Sequence, residues 1–306
     1  MATPSPVRPL SKKIYEARAA RLREQLVQLQ VQLKDSPFKI LLLIAGIEGA
    51  GSGDLINTLG GWFDPRGVET FALREPSEEE RERPFLWRFW RSLPSYGRIG
   101  VYTGSWYTET LRAKIKKDVS LRELKPQLEH IRHFEKLHAD NGTLIIKIWL
   151  HLSKADQGRR LRALAKDPAT AWRVTPQHWE HHRHYKRLDR LAKTIRKTTH
   201  TPYAPWFVVD SADPRTRDLT VARRILTRFQ AHVRKHERHK KSPRATAAAS
   251  EPLRASGLRR LRALSLDQHL SASDYETKRE KWLGRLHQLV NAAHDAHRSL
   301  IFAFEG

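Results

Sequence analysis

The chain predicts an α/β fold, a parallel sheet of about five strands with helices on both faces. Two observations carry that expectation. Short apolar runs recur along the sequence, each followed by a segment with helical spacing or a helix-start signal. The longest of these runs are continuous rather than alternating, which suits strands buried on both sides.

The elements follow in order. Residues 1–9 are rich in Pro and form a tail. Over 12–34, Leu22, Leu26, Leu29 and Leu33 recur at helical spacing among Arg, Gln and Glu, so an amphipathic helix is expected, stopped by Pro37. Phe38–Ala45 is the first strand. A glycine-rich turn, GIEGAGSGD, follows, and Leu55, Ile56 and Leu59 mark a helix starting near Asp54. Val68–Leu73 is the second strand. Ser77 and Glu80 form a capping box ahead of a Trp-rich helix ending near Ser92. Ile99–Tyr102 is the third strand, a helix runs from Pro126 to Ala139, and Thr143–Leu150 is the fourth strand. Ser153 caps a basic helix. Thr175-Pro176 and Asp213-Pro214 each place a cap before a proline at the first helical position. Trp206–Asp210 is the fifth strand.

The 306 residues carry 57 Lys plus Arg against 33 Asp plus Glu, a formal charge of +24. That excess points to a polyanionic partner. With no Cys, disulfides and Cys-based zinc sites are excluded. The first residues lack the apolar stretch of a signal peptide, and no apolar run approaches the roughly 18 residues needed to span a bilayer. A cytoplasmic protein without a membrane partner is expected. The tract 231–262 is rich in Lys and Arg, and Ser242–Pro252 has linker composition, placing a boundary near 240–257.

Beyond that boundary the chain repeats its beginning. LSASDYETKREKWLGRL (270–286) parallels LSKKIYEARAARLREQL (10–26), and SLIFAFEG (299–306) parallels LLLIAGIEG (41–49). The expected organisation is a tail and amphipathic helix at 1–37, a first domain at 38–240, a linker at 241–257, and at 258–306 the first helix and strand of a second, truncated domain. In that reading Leu300–Phe304 is a strand.

A glycine-rich turn between a strand and a helix N-terminus presents N–H groups and a positive dipole to phosphate. Gly46, Gly49, Gly51 and Gly53 give this turn its freedom, but Ser52 stands where a phosphate-binding Lys is expected. A tight strand–helix turn without ligand remains open on the glycines alone. A second stretch, EPSEEERERPFLWRFWRSLPSYGRIGVYTGSWYTE (75–109), is more specific. Together with the turn, and with KIWLHLSKADQGRRL (147–161), DPATAWRVTPQHW (167–179) and APWFVVDSAD (204–213), it resembles the polyphosphate kinase 2 family of P-loop phosphotransferases. The likeness is greatest to the N-terminal half of the tandem-domain polyphosphate:AMP phosphotransferases, and it covers about 10–230 before restarting near 262.

The resemblance implies a P-loop kinase-like sheet, a basic helical lid, and Mg²⁺-dependent phosphoryl transfer from polyphosphate to AMP, giving ADP. It implies a second family domain in the same chain, with a homo-oligomer as a further partner and no specific nucleic acid. The family loop is Gly-x-Asp-x-x-Gly-Lys-Gly. Gly46, Gly51 and Gly53 match it, Glu48 replaces the Asp and is the one residue offered for a metal, and Ser52 replaces the Lys. Active members end the third strand in Asp-Arg-Ser-Trp-Tyr, whereas Thr103 and Gly104 precede Ser105-Trp106-Tyr107 here. Phosphoryl transfer depends on positioning and charge neutralisation, so these losses imply a catalytically silent copy. Lys147, Lys154, Arg159, Arg160 and Arg162, with Arg74 and Arg88, are the residues expected along a polyphosphate channel. A solvated basic helix face is the open alternative for the lid, and a non-enzymatic basic scaffold for polyphosphate or nucleic acid is the alternative for the whole. Trp87, Trp90 and Trp106 read as core residues, and the His178–Tyr185 helix reads as solvent-facing.

Overall fold

The computed structural model describes residues 10–73, 75–108, 110–111, 121–168, 170–241 and 269–302. The chain divides into two units, Met1–Lys241 and Ser242–Gly306.

The first unit is built on a five-stranded parallel sheet in the order β2-β3-β1-β4-β5. The strands are β1 (Ile40–Gly46), β2 (Val68–Ala72), β3 (Ile99–Thr103), β4 (Leu144–His151) and β5 (Trp206–Asp210). β1 lies between β3 and β4, with Ile40 level with Ile99 on one side and Leu144 on the other. Both central strands are buried nearly end to end, as their continuous apolar runs require.

One face carries α1 (Lys12–Lys34), α2 (Ser52–Trp62) and the last helix of the unit, α9 (Pro214–Lys241). Leu22, Leu26, Leu29 and Leu33 are the buried stripe of α1. Asp213 caps α9 through Thr216 N–H at 3.0 Å and also accepts Leu10 N–H at 3.3 Å, which brings the starts of α1 and α9 together. The other face carries α5 (Leu121–Asp140) and α8 (Tyr185–Thr199).

The stretch after β2 departs from expectation. In place of one Trp-rich helix there are two short ones, α3 (Glu78–Arg81) and α4 (Trp87–Arg91), because Pro84 falls between them. The Ser77–Glu80 capping box forms on α3. Trp106 is fully buried, but Trp90 is 45% exposed, set edge-on to Phe134 rather than enclosed. Helix α5 runs through Pro126 instead of starting there, held upstream by the buried Leu124. After β4 come α6 (Lys154–Lys166) and α7 (Pro176–Arg183).

In the second unit, α10 (Ala272–Asp295) opens like α1: Ser271 accepts the N–H of Asp274, as Ser11 accepts that of Ile14. The expected strand is absent over Leu300–Phe302, and the rest of it lies outside the described residues. A strand is held by ladder bonds to a neighbour, and the described residues of this unit include none.

Candidate active site

The C-terminal ends of β1, β3 and β4 surround a cleft of about 580 Å³. Gly46, Glu48, Ser52, Thr103 and Gly104, all singled out in the sequence, line it. The loop turns through Gly49 and then Gly51, which caps α2 with φ +82°. A side chain at position 51 would strike two guanidinium groups: an added Cβ would lie 2.3 Å from Arg217 and 2.7 Å from Arg160. The left-handed backbone is what calls for glycine here, and a side chain would also have to displace the ends of these two arginines.

Those arginines are already engaged. Arg217 is buried, donates to the Ala50 carbonyl at 3.3 Å, and is ion-paired with Asp218 at 2.8 Å. Burial pushes the Asp218 carboxyl up despite that pair. Arg160 bonds Asp54 in the first turn of α2 at 2.6 Å. Neither Arg217 nor Asp54 stood out in the sequence. The signals available were an Arg-Asp pair in the first turn after β5 and an acid in the first turn of α2.

The inner wall is apolar, formed by Ile44, Leu73, Leu111, Trp149 and Leu188. The polar wall comes from α6 and α7. Gln157 Nε2 donates to the Glu48 carbonyl at 2.9 Å, and its Oε1 accepts from His182 Nδ1 at 2.8 Å. His181 Nδ1 bonds the Glu48 carboxylate, and His178 Nε2 lies 3.8 Å from its other oxygen. The hydrogen bond to Glu48 raises the pKa of His181. This corrects the expectation of a solvent-facing histidine helix: His178 and His181, one turn apart, face the loop. Their spacing was the available signal, but it had no meaning until α7 was folded over β1.

The predicted basic channel is only partly assembled. Lys154, Arg159 and Arg162 are exposed on α6, with Arg159 bonded to Asp156. Lys147 is not on the cleft. It is fully buried and donates to Glu135 at 2.7 Å, Tyr107 at 3.0 Å and the Thr199 carbonyl at 2.8 Å. Strand alternation puts it on the same face as Trp149, which does line the cleft, but two residues deeper along β4, where Glu135 of α5 and the end of α8 enclose it. Arg88 is likewise buried, 3.4 Å from Glu80. Arg74 lies outside the described residues. Among the described residues that line the cleft there is neither Lys nor Arg.

A divalent cation does not suit this donor set. Glu48 is engaged by His181, Asp54 by Arg160, and Thr103 and Gly104 contribute no carboxylate. Among the described residues no group of three or more His, Asp or Glu could hold a metal ion. Gly104 also has a structural reason: its φ is +79°, and a Cβ there would lie 2.2 Å from the Leu73 carbonyl. An arginine at this position requires a different end to β3.

Comparison with known proteins bears on this geometry. The family model described as polyphosphate kinase 2 matches residues 9–237. A polyphosphate:AMP phosphotransferase of Pseudomonas aeruginosa is 38% identical over 97% of this chain and 60% of its own length. One from Pseudomonas syringae pv. tomato is 34% identical over 95% of this chain and 58% of its own. A crystal structure of a polyphosphate kinase 2 from Pseudomonas aeruginosa superposes with a TM-score of 0.74 at 33% identity, covering 93% of this chain and 54% of that one. The chain thus spans about 60% of the length of these curated relatives. Among the described residues, no helix is long and apolar enough to cross a membrane.

Proposed function

The chain belongs to the polyphosphate kinase 2 family, and on that premise we propose that it is the first domain of a polyphosphate:AMP phosphotransferase, a copy that has lost turnover. The observation that carries this reading is the cleft. Its described lining holds no Lys or Arg, and its loop carboxylate, Glu48, is occupied by His181. Transfer of a phosphoryl group gains most of its rate from positioning and from neutralising charge on the moving group. A wall of Ile44, Leu73 and Trp149 beside a histidine–carboxylate pair does neither.

In this proposal, chemistry in the longer protein belongs to a second family domain, with polyphosphate and AMP or ADP as ligands in the cytoplasm. Mg²⁺ would offset phosphate charge in that second domain. Two features support the tandem arrangement. Helix α10 repeats α1 in sequence and in its serine cap, and the curated relatives are longer than this chain. In the same proposal the first domain keeps a packing or polyphosphate-holding role.

The test is direct. The 306-residue chain is incubated with polyphosphate, AMP and Mg²⁺, and ADP is followed. No formation above background is expected. Turnover of about one per second, the low end of ordinary enzymes, would overturn the silent-domain reading. The sequence encoded after Gly306 tests the tandem part. A glycine-rich loop with Lys, followed by an Asp-Arg pair at a third strand, is expected, and a stop codon would leave a basic scaffold instead.

A further inference from the structure

We propose that the groove between α1 and α9 is a binding site for a linear condensed phosphate, separate from the cleft at the β1 loop. The groove has a volume of about 490 Å³. Arg18 and Arg21 enter it from α1 and Arg223 from α9, with Gln25, Thr227 and Gln230 between them. Its floor is the packed pair Leu22 and Leu226, both buried.

Three features point to an anion. Among the described residues, no Asp or Glu lines the groove. All three arginines are exposed, and among the described residues none of them is ion-paired with a carboxylate. Arg18 and Arg21 are one turn apart on the same helix, where like charges repel. A third arginine from the opposite helix adds to that repulsion, which a bound polyanion would relieve.

The geometry suits an extended chain. Leu10 is bonded to Asp213 and to Arg215, so α1 and α9 start side by side and run in the same direction. At a rise of about 1.5 Å per residue, the arginines lie roughly 10 to 15 Å along from that shared end. The cations are all arginine, whose planar fork pairs with two phosphate oxygens at once. The neutral lining residues are amides and a hydroxyl, which can donate further hydrogen bonds. Among the described residues no aromatic side chain lines the groove, so they offer no platform for stacking a base. This favours condensed phosphate over nucleic acid. The identity of the polymer rests on reading the longer protein as a polyphosphate enzyme; the existence of the anion site does not.

The experiment uses the full 306-residue chain, without nucleotide or Mg²⁺, so that it is independent of turnover. Linear polyphosphate is titrated at several salt concentrations against the wild-type chain, an R18A/R21A/R223A variant, and a control K186A/R190A/K197A variant at exposed positions on α8, which should bind like wild type. The groove variant is expected to lose at least tenfold in affinity at low salt. Its slope of log K against log salt should fall by about two to three, following the counterion release measured for DNA. An R18K/R21K/R223K variant keeps the charges, loses the forks, and should bind several-fold more weakly than wild type. Far-UV circular dichroism and Tm check that the variants fold, as exposed positions should permit. An unchanged affinity and slope in the folded groove variant would overturn the site. Equal affinity for single-stranded DNA of matched charge, lost through the same three arginines, would overturn the assignment to condensed phosphate. Turnover in the ADP assay would bear on the silent-domain reading alone.

Discussion

Two carboxylates of the first unit, each paired with a basic side chain, behave in opposite ways. Glu135 meets Lys147 with both side chains fully buried, 2.7 Å apart. Glu48 meets His181 at the mouth of a cleft, with side-chain exposures of 33% and 12%. The first pair is closed on every side: Tyr107 donates to Glu135 at 2.7 Å, Trp106 donates to it at 3.2 Å, and Trp206 packs beneath the ammonium. The second has one wet side and an imidazole partner, whose pKa the Glu48 hydrogen bond raises from its ordinary value of about 6.5. The contrast separates a charge that specifies the core from a charge that closes a site. One member of each pair, Lys147 and Glu48, is a residue for which the family resemblance suggested ligand binding, and only their surroundings tell the pairs apart.

The largest expected effect comes from breaking the closed pair. Lys147→Met leaves Glu135 buried beside an apolar group, which typically costs about 3–5 kcal/mol. Burial already draws the Lys147 pKa down against the pull of Glu135, so the ammonium is held by its partners and not by solvent. Thermal unfolding of the variant should show a Tm lower by roughly 10 °C. Adding Glu135→Leu removes the orphaned charge and should restore much of the loss. If the single variant unfolds within about 1 kcal/mol of wild type, the pair is not the closed element described here.

A smaller effect is expected from trying to rebuild catalysis on the open side. Ser52→Lys and Thr103→Asp change side chains at the cleft and should be tolerated. Gly104→Arg should not, because the position has φ +79° and its Cβ would meet the Leu73 carbonyl. Backbone strain of this kind costs about 1–3 kcal/mol. Denaturant unfolding should show that loss for Gly104→Arg and less than half of it for the other two together. Equal stability of all three variants would mean that the end of β3 readily takes up another conformation.

The strand order of the fold was not written in any one segment, yet most elements were legible. Continuous apolar runs at β1 and β4 and the helical leucines of α1 left little choice, since only burial satisfies them. The split of the Trp-rich helix at Pro84 was visible but was outweighed by the capping box. The site was legible where a backbone requirement carried it, at Gly51, whereas Gly104 read only as a lost arginine and its left-handed backbone came from the structure. It was not legible where it depends on approach in space. Lys147 looked like a channel residue because the family resemblance grouped it with the basic cluster of the following helix; its partner Glu135 sits on α5, and nothing local links the two. His181 meets Glu48 across 133 positions in the sequence, so the spacing within the histidine cluster held only half of the information.

The smallest effect expected is also the one that most sharpens the contrast, because only the open pair should respond to pH. The pKa of His181 is raised, first by its hydrogen bond with Glu48. A histidine whose folded pKa lies above the unfolded value of about 6.5 adds stability that is complete below that value and fades as pH climbs through the folded one. Buried histidines act in the opposite sense. His138 is pushed down to about 4 by burial, so its contribution is lost as pH falls from about 6.5 toward that value. The whole-chain profile therefore mixes both signs, and the variant difference isolates one. His181→Gln should cost on the order of 1 kcal/mol at about pH 5.5 and distinctly less at about pH 9. Glu48→Gln should reproduce that pattern, and the double variant should lose no more than either single one. Tm measured across this range for all four proteins decides it. A cost for His181→Gln that is flat with pH would mean that the imidazole is held by its shape against the loop, and that the open pair is as fixed as the closed one.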